Sequence, residues 1–123
     1  MNETENKIIL VFEKWNNALK TCDENIVASL YHDNAVLLPT ISNKVRHNHN
    51  EIKDYFINFL SKEPQGKIDE SNIRIFDEIA LNSGIYTFSF NDNSSVQARF
   101  TFVYKLIEGE WKIIEHHSSM MPE

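Results

Sequence analysis

The stretch from Val96 to Glu123 reads V-Q-A-R-F-T-F-V-Y-K-L-I-E-G-E-W-K-I-I-E-H-H-S-S-M-M-P-E. Two β-type runs flank a tight Glu108-Gly109 turn, and the second run ends in Glu115, His116, His117, Ser118 and Ser119. An apolar hairpin that finishes in titratable side chains is expected to form one wall of a pocket. If Glu108-Gly109 is a two-residue loop, register follows by counting. Leu106 then faces Trp111, Tyr104 faces Ile113, Phe102 faces Glu115, and Phe100 faces His117. On the other face Lys105 meets Lys112, Val103 meets Ile114, Thr101 meets His116, and Arg99 meets Ser118. The first face is nearly all large and apolar, so it should cover the core, with Glu115 and His117 where that core opens into a cavity. The second suits solvent or a subunit interface. A β-bulge would exchange the two assignments beyond it.

Working back from the hairpin, Ile68–Phe76 and Ile79–Asn91 are also β-branched, aromatic and alternating, separated by turn signals at Asp77-Glu78 and Asn91–Ser94. Before Gly66 the pattern is helical. Ile8, Phe12, Trp15 and Leu19 recur at steps of four, three and four, with Asn2 and Glu5 placed to cap the start. Asp23 caps a short second helix through Val27 and Leu30. Asn48 opens a third, whose apolar stripe is Ile52, Tyr55, Phe56, Phe59 and Leu60. Between them Ala35–Leu38 reads as a short buried strand ended by Pro39, and Val45 with Arg46 as a second. Helices followed by a long meander indicate α+β, with three N-terminal helices packed on one face of a strongly curved antiparallel or mixed sheet.

At 123 residues the chain is expected to be one domain. Apolar residues make up 41%, including eight Phe, four Tyr and two Trp, which is enough for a core. Net charge is −6 and no Lys/Arg cluster occurs, which disfavours nucleic acid and anionic membrane surfaces as partners. A single cysteine, Cys22, and the absence of an apolar leader or long apolar run fit a soluble cytoplasmic protein.

Several residues are candidates for chemistry. Adjacent strand residues point to opposite faces, so only one of His116 and His117 can enter a given cavity. His117 with Glu115 would make an acid–base dyad, or else His117 is a satisfied polar residue at the end of a core strand. Arg99, between large apolar neighbours, should pair with a carboxylate, either structurally across a dimer or from a ligand. Arg46 precedes a helix N-terminus, where anions bind readily; the plainer reading is a solvated loop arginine. Trp15, Tyr86 and Tyr104 are core by spacing, yet aromatics also line small-molecule pockets. His47, His49 and His32-Asp33 lack metal-site spacing, so no metal is expected. With three glycines and no phosphate loop, dinucleotide fingerprint or nucleophile motif, no cofactor is expected either.

Six runs are similar to one group: W-N-N-A-L-K-T-C-D (15–23), A-S-L-Y-H-D-N-A-V-L-L-P-T (28–40), I-K-D-Y-F (52–56), G-I-Y-T-F (84–88), A-R-F-T-F-V-Y (98–104), and W-K-I-I-E-H-H-S-S-M-M-P-E (111–123). They resemble the bacterial proteins related to the association (hub) domain of calcium/calmodulin-dependent protein kinase II, within the nuclear transport factor 2-like, or SnoaL-like, superfamily. The resemblance implies a cone-like α+β fold with a pocket between sheet and helices, and dimerisation, often through the sheet. It places His117 at the family's terminal histidine and Tyr86 at its tyrosine. The kinase hub's arginine-lined pocket is not carried over, because Phe88, Phe102 and Ser118 stand at those arginine positions. No kinase motif is present.

The expected function is therefore a homodimeric, non-catalytic domain that binds a small, partly apolar, anionic molecule through His117, Glu115, Arg99, Tyr86, Tyr104, Trp15, Arg46 and His116. The alternatives are a SnoaL-like isomerase or dehydratase using Glu115 and His117 for proton transfer, and a purely structural oligomerisation module.

Overall fold

The computed structural model describes residues 2–40 and 42–122. Three helices, α1 (Glu3–Lys20), α2 (Glu24–Ala28) and α3 (His49–Leu60), pack on a sheet of β1 (Tyr31–Leu38), β2 (Gln65–Phe76), β3 (Ile79–Ser89), β4 (Ser95–Ile107) and β5 (Glu110–Met120). The sheet order is β1-β5-β4-β3-β2, with β1 parallel to β5 and every other pair antiparallel. The expected α+β class holds. The third helix follows the first strand, and the expected second short strand reduces to one bridge, Leu37 to Arg46.

The three helix starts are as the sequence implies. The Asn2, Asp23 and Asn48 side chains accept from the backbone N–H groups of Glu5, Asn25 and Glu51 at 2.8, 2.8 and 2.9 Å. Each such cap contributes about 1 kcal/mol by satisfying a donor that the helix leaves free. α1 buries Ile8, Phe12, Trp15, Ala18 and Leu19 against the inner face of the sheet. α3 buries Ile52, Phe56 and Leu60, while Tyr55 and Phe59 from the same stripe stay half-exposed.

Two register shifts shape the sheet. One lies on β2 between Ile68 and Glu70, where Asp69 is the extra residue, and the other on β5 between Ile113 and Glu115, where Ile114 is. Bulges bend and twist a strand, and these two stand on opposite sides of β3–β4. At the first, a Cβ on Gly84 would lie 2.0 Å from the Glu70 carbonyl oxygen, so β2 approaches closely only because residue 84 has no side chain. The β4–β5 turn is the anticipated two-residue loop, with Glu108 at φ 50° and Gly109 at φ 82°.

The Ile114 bulge corrects the counted register. Pairing runs as counted for Leu106 with Trp111, Lys105 with Lys112, and Tyr104 with Ile113. Beyond it Val103 faces Glu115, Phe102 faces His116, Thr101 faces His117, Phe100 faces Ser118 and Arg99 faces Ser119. The inner face of β5 is thereby Ile113, His116 and Ser118, and the outer face carries Glu115 and His117.

Candidate functional site

Below the concave face of the sheet, a cavity of about 410 Å³ opens between α3 and strands β3–β5. Its walls are aromatic, with Trp15 from α1, Tyr55, Phe56 and Phe59 from α3, and Phe88 from β3. This explains the half-exposure of Tyr55 and Phe59, since their outer ring faces border open space and not protein.

The polar floor comes from β5. His116, 3% exposed, stacks on Phe102 with ring centroids 4.0 Å apart. Its Nδ1 lies 2.9 Å from the Tyr31 hydroxyl and its Nε2 lies 3.2 Å from the Tyr86 hydroxyl. Trp15 Nε1–H donates to the Tyr31 oxygen at 3.1 Å. The Tyr86 hydroxyl donates to Ser118 Oγ at 2.7 Å, and Thr40 Oγ1 lies 2.9 Å from the same oxygen. One continuous hydrogen-bonded chain therefore runs from the core to the cavity, which Thr40 and Ser118 both line.

Burial, with the His117 charge a smaller contributor, pushes the His116 pKa down to about 3. Burial likewise raises the Tyr31 and Tyr86 pKa values, so the chain carries no charge near neutral pH. A neutral, fully engaged imidazole is a poor proton shuttle at such a pH. It is well suited to holding other hydroxyls in place.

Charge enters at the rim. Arg46 Nη1 donates to the Glu51 carbonyl at 3.0 Å and to Asp54 Oδ2 at 2.8 Å, and the guanidinium sits 5.8 Å from the Tyr55 ring centroid. Its buried Nε–H has no hydrogen-bond partner among the described residues. Burial pushes the Tyr55 pKa up to about 12, against the opposing pull of Arg46. Among the described residues, Arg46 and Lys62 are the charged ones that line the cavity, and both are cationic.

Of the residues singled out from the sequence, the structure brings Trp15, Arg46, Tyr86 and His116 together at this cavity. Tyr104 is fully buried in the core, away from the cavity lining, and its hydroxyl has no hydrogen-bond partner among the described residues. Glu115, His117 and Arg99 are exposed on the outer face, so the expected Glu115/His117 dyad does not reach the cavity. The bulge is the reason, since the extra residue Ile114 turns His116 inward in place of His117. His47 bonds Glu51 at 3.0 Å beside the α3 cap, and His49 Nε2 lies 2.7 Å from the Tyr31 carbonyl oxygen. Ser118, Thr40 and Lys62 were not foreseen as lining residues. Ser118 carried a signal, because it closes the polar cluster of β5.

The sequence matches the family model for the calcium/calmodulin dependent protein kinase II association domain over residues 4–122. A solved structure from Xanthomonas campestris, provisionally named as such an association domain, is 45% identical; the match covers 94% of this chain and 86% of that one, with a TM-score of 0.91. An NTF2-like protein of unknown function from Pseudomonas putida KT2440 shares the fold at 17% identity, covering 94% of this chain and 85% of that one, with a TM-score of 0.83. A Streptomyces avermitilis protein provisionally named a dehydratase of the NTF2-like family shares it at 14% identity, covering 96% of each chain, with a TM-score of 0.82. No curated protein matches the sequence. No helix among the described residues is long and apolar enough to cross a membrane.

Proposed function

The chain belongs to the calcium/calmodulin dependent protein kinase II association domain family, and from that premise we propose that it is a self-associating, non-catalytic domain whose cavity binds a small, partly apolar anionic compound. The observation that carries the ligand class is the composition of the lining. Among the described residues, aromatic walls meet two cationic side chains and no carboxylate, in a protein of net charge −6. An apolar body would displace water from the aromatic walls, and an anionic end would pair with the cationic Arg46 and Lys62 side chains.

The isomerase or dehydratase alternative loses its support, because it needed Glu115 and His117 inside the cavity. The S. avermitilis protein shares the fold only, and fold does not carry activity.

Self-association is assigned to the outer face of β3–β5. There Ile85, Thr101 and Val103 are half-buried around the exposed Arg99, which makes no ion pair among the described residues. Sedimentation over a range of concentrations should show a dimer or larger assembly, and a concentration-independent monomer would remove this part of the reading.

Isothermal titration with benzoate and phenylacetate, against benzylamine, tests the ligand class. Both acids should bind and the amine should not, and Arg46→Met should weaken the acids about tenfold or more, the usual worth of a charge-assisted hydrogen bond. Unfolding curves confirm that the variant is folded. Equal binding of amine and acids, or indifference to Arg46→Met, would sink the anionic assignment.

A further inference from the structure

The hydrogen-bonded chain under the cavity has a direction, and the direction is set in the core, away from the lining hydroxyls. Tyr31 is 1% exposed, and its hydroxyl oxygen already accepts from Trp15 Nε1–H. Its own hydrogen has His116 Nδ1, 2.9 Å away, as acceptor. Were Nδ1 protonated instead, two donors would face each other and the buried Tyr31 hydrogen would be stranded without an acceptor. Nδ1 therefore accepts, and the imidazole carries its hydrogen on Nε2, directed at the Tyr86 hydroxyl oxygen. Tyr86 passes its hydrogen to Ser118 Oγ.

The donors are Trp15 Nε1, Tyr31, His116 Nε2, Tyr86, Ser118 and Thr40, which supply six hydrogens. The links between them number five. Whichever way the Ser118–Thr40 link runs, one hydroxyl hydrogen is left over, and both hydroxyls line the cavity. With the opposite tautomer the chain reverses, every hydroxyl from Tyr86 outward donates inward, and the cavity end presents lone pairs alone.

Given the binding role proposed above for this cavity, we infer that His116 is its positioning residue: pinned by Tyr31 as the Nε2–H tautomer, it turns Ser118 and Thr40 into a hydrogen-bond donor floor. That floor selects a ligand with an acceptor oxygen, a carbonyl or a carboxylate, at the end inserted first. Neither Tyr31 nor the pinning contact touches the cavity, so the selectivity is exerted through His116. A donor-only group, such as an ammonium or amidinium, would leave that hydrogen without an acceptor and would face two cationic side chains.

Two measurements test this on the intact protein. Side-chain ¹⁵N NMR of His116 reads the tautomer without any ligand, and the Nε2–H form is expected. Acetophenone, a neutral aromatic carbonyl, is then compared with α-methylstyrene, which replaces the carbonyl by a vinylidene group of the same shape. The infrared C=O stretch of bound acetophenone should lie below its value in hexane. Tyr31→Phe should make both tautomers visible and weaken acetophenone about fivefold, while α-methylstyrene stays within about twofold, since one hydrogen bond is at stake and not the shape of the cavity. An Nδ1–H tautomer in the wild-type protein, a hexane-like carbonyl stretch, or equal losses for both probes would overturn the donor floor and leave the binding role standing. Failure of every aromatic probe, benzoate included, to bind would remove the binding role and the floor's selectivity with it.

Discussion

His116 and His117 share a strand, a residue type and a peptide bond, yet live in different solvents. His116 is sealed against Phe102 and held at both nitrogens by tyrosine hydroxyls. His117 is exposed on the far side of the sheet, opposite Thr101. The contrast teaches that residue identity carries little functional information in a strand until its parity is known. Parity in turn depended on one extra residue at Ile114. Substitutions that separate the inner face from the outer one are therefore the sharpest probes of this molecule.

The largest effect is expected for His116→Ala. It strands the Tyr31 hydrogen, leaves the Tyr86 oxygen without its donor, and opens a void beside Phe102. Together these should cost about 3–5 kcal/mol of stability in urea unfolding. A loss under 1 kcal/mol would mean that the buried network is not formed.

Acid should weaken the protein through the same side chain. In the unfolded chain His116 protonates near its ordinary value of 6.5, whereas burial holds the folded value at about 3. Between those two values the unfolded state binds more protons, so stability is full above about pH 6.5 and falls as pH drops toward 3. The carboxylates with lowered pKa values, Glu51, Asp69 and Asp92, have ordinary values of 4.5, 3.8 and 3.8 and so act mainly at the acid end. The upper part of the window thus reports His116, and His116→Gln should flatten the stability–pH slope there. An unchanged slope would place the titration elsewhere.

Tyr86→Phe probes the middle of the chain. It leaves His116 Nε2–H without an acceptor and Ser118 without its donor, at nearly constant packing against Phe88 and Phe100. A loss of about 1–2 kcal/mol is expected from calorimetry, smaller than for His116→Ala because no large void forms.

Much of this is legible in the sequence. The caps at Asn2, Asp23 and Asn48, the apolar stripes of α1 and α3, and the Glu108-Gly109 turn are local signals, and local signals survive folding unchanged. The bulge is not local. I-I-E-H carries no glycine or asparagine to announce an extra residue, and β5 gains it while pairing with β1 on one side and β4 on the other. A global sign was nevertheless present. The counted register set Glu115 against Phe102 and His117 against Phe100, burying a carboxylate in an aromatic wall at a cost of several kcal/mol. Shifting parity exposes Glu115 and buries an imidazole, which can be neutral. That energetic conflict was the readable trace of Ile114, and Tyr31 and Tyr86, distant in sequence, supply the partners that settle it.

The smallest effect belongs to His117, and it sharpens the comparison most. His117→Ala removes an exposed ring that makes no side-chain hydrogen bond or ion pair among the described residues, so stability should change by less than about 0.5 kcal/mol. Benzoate and acetophenone affinity should stay at the wild-type level, since the side chain lies across the sheet from the cavity. The His116 tautomer should also be unchanged. Its pKa should rise slightly, because the His117 charge is one of the two influences that lower it and the weaker one. A ligand-affinity loss in His117→Ala as large as that in Arg46→Met would show that β5 lacks the bulge in solution and that the outer histidine is the inner one.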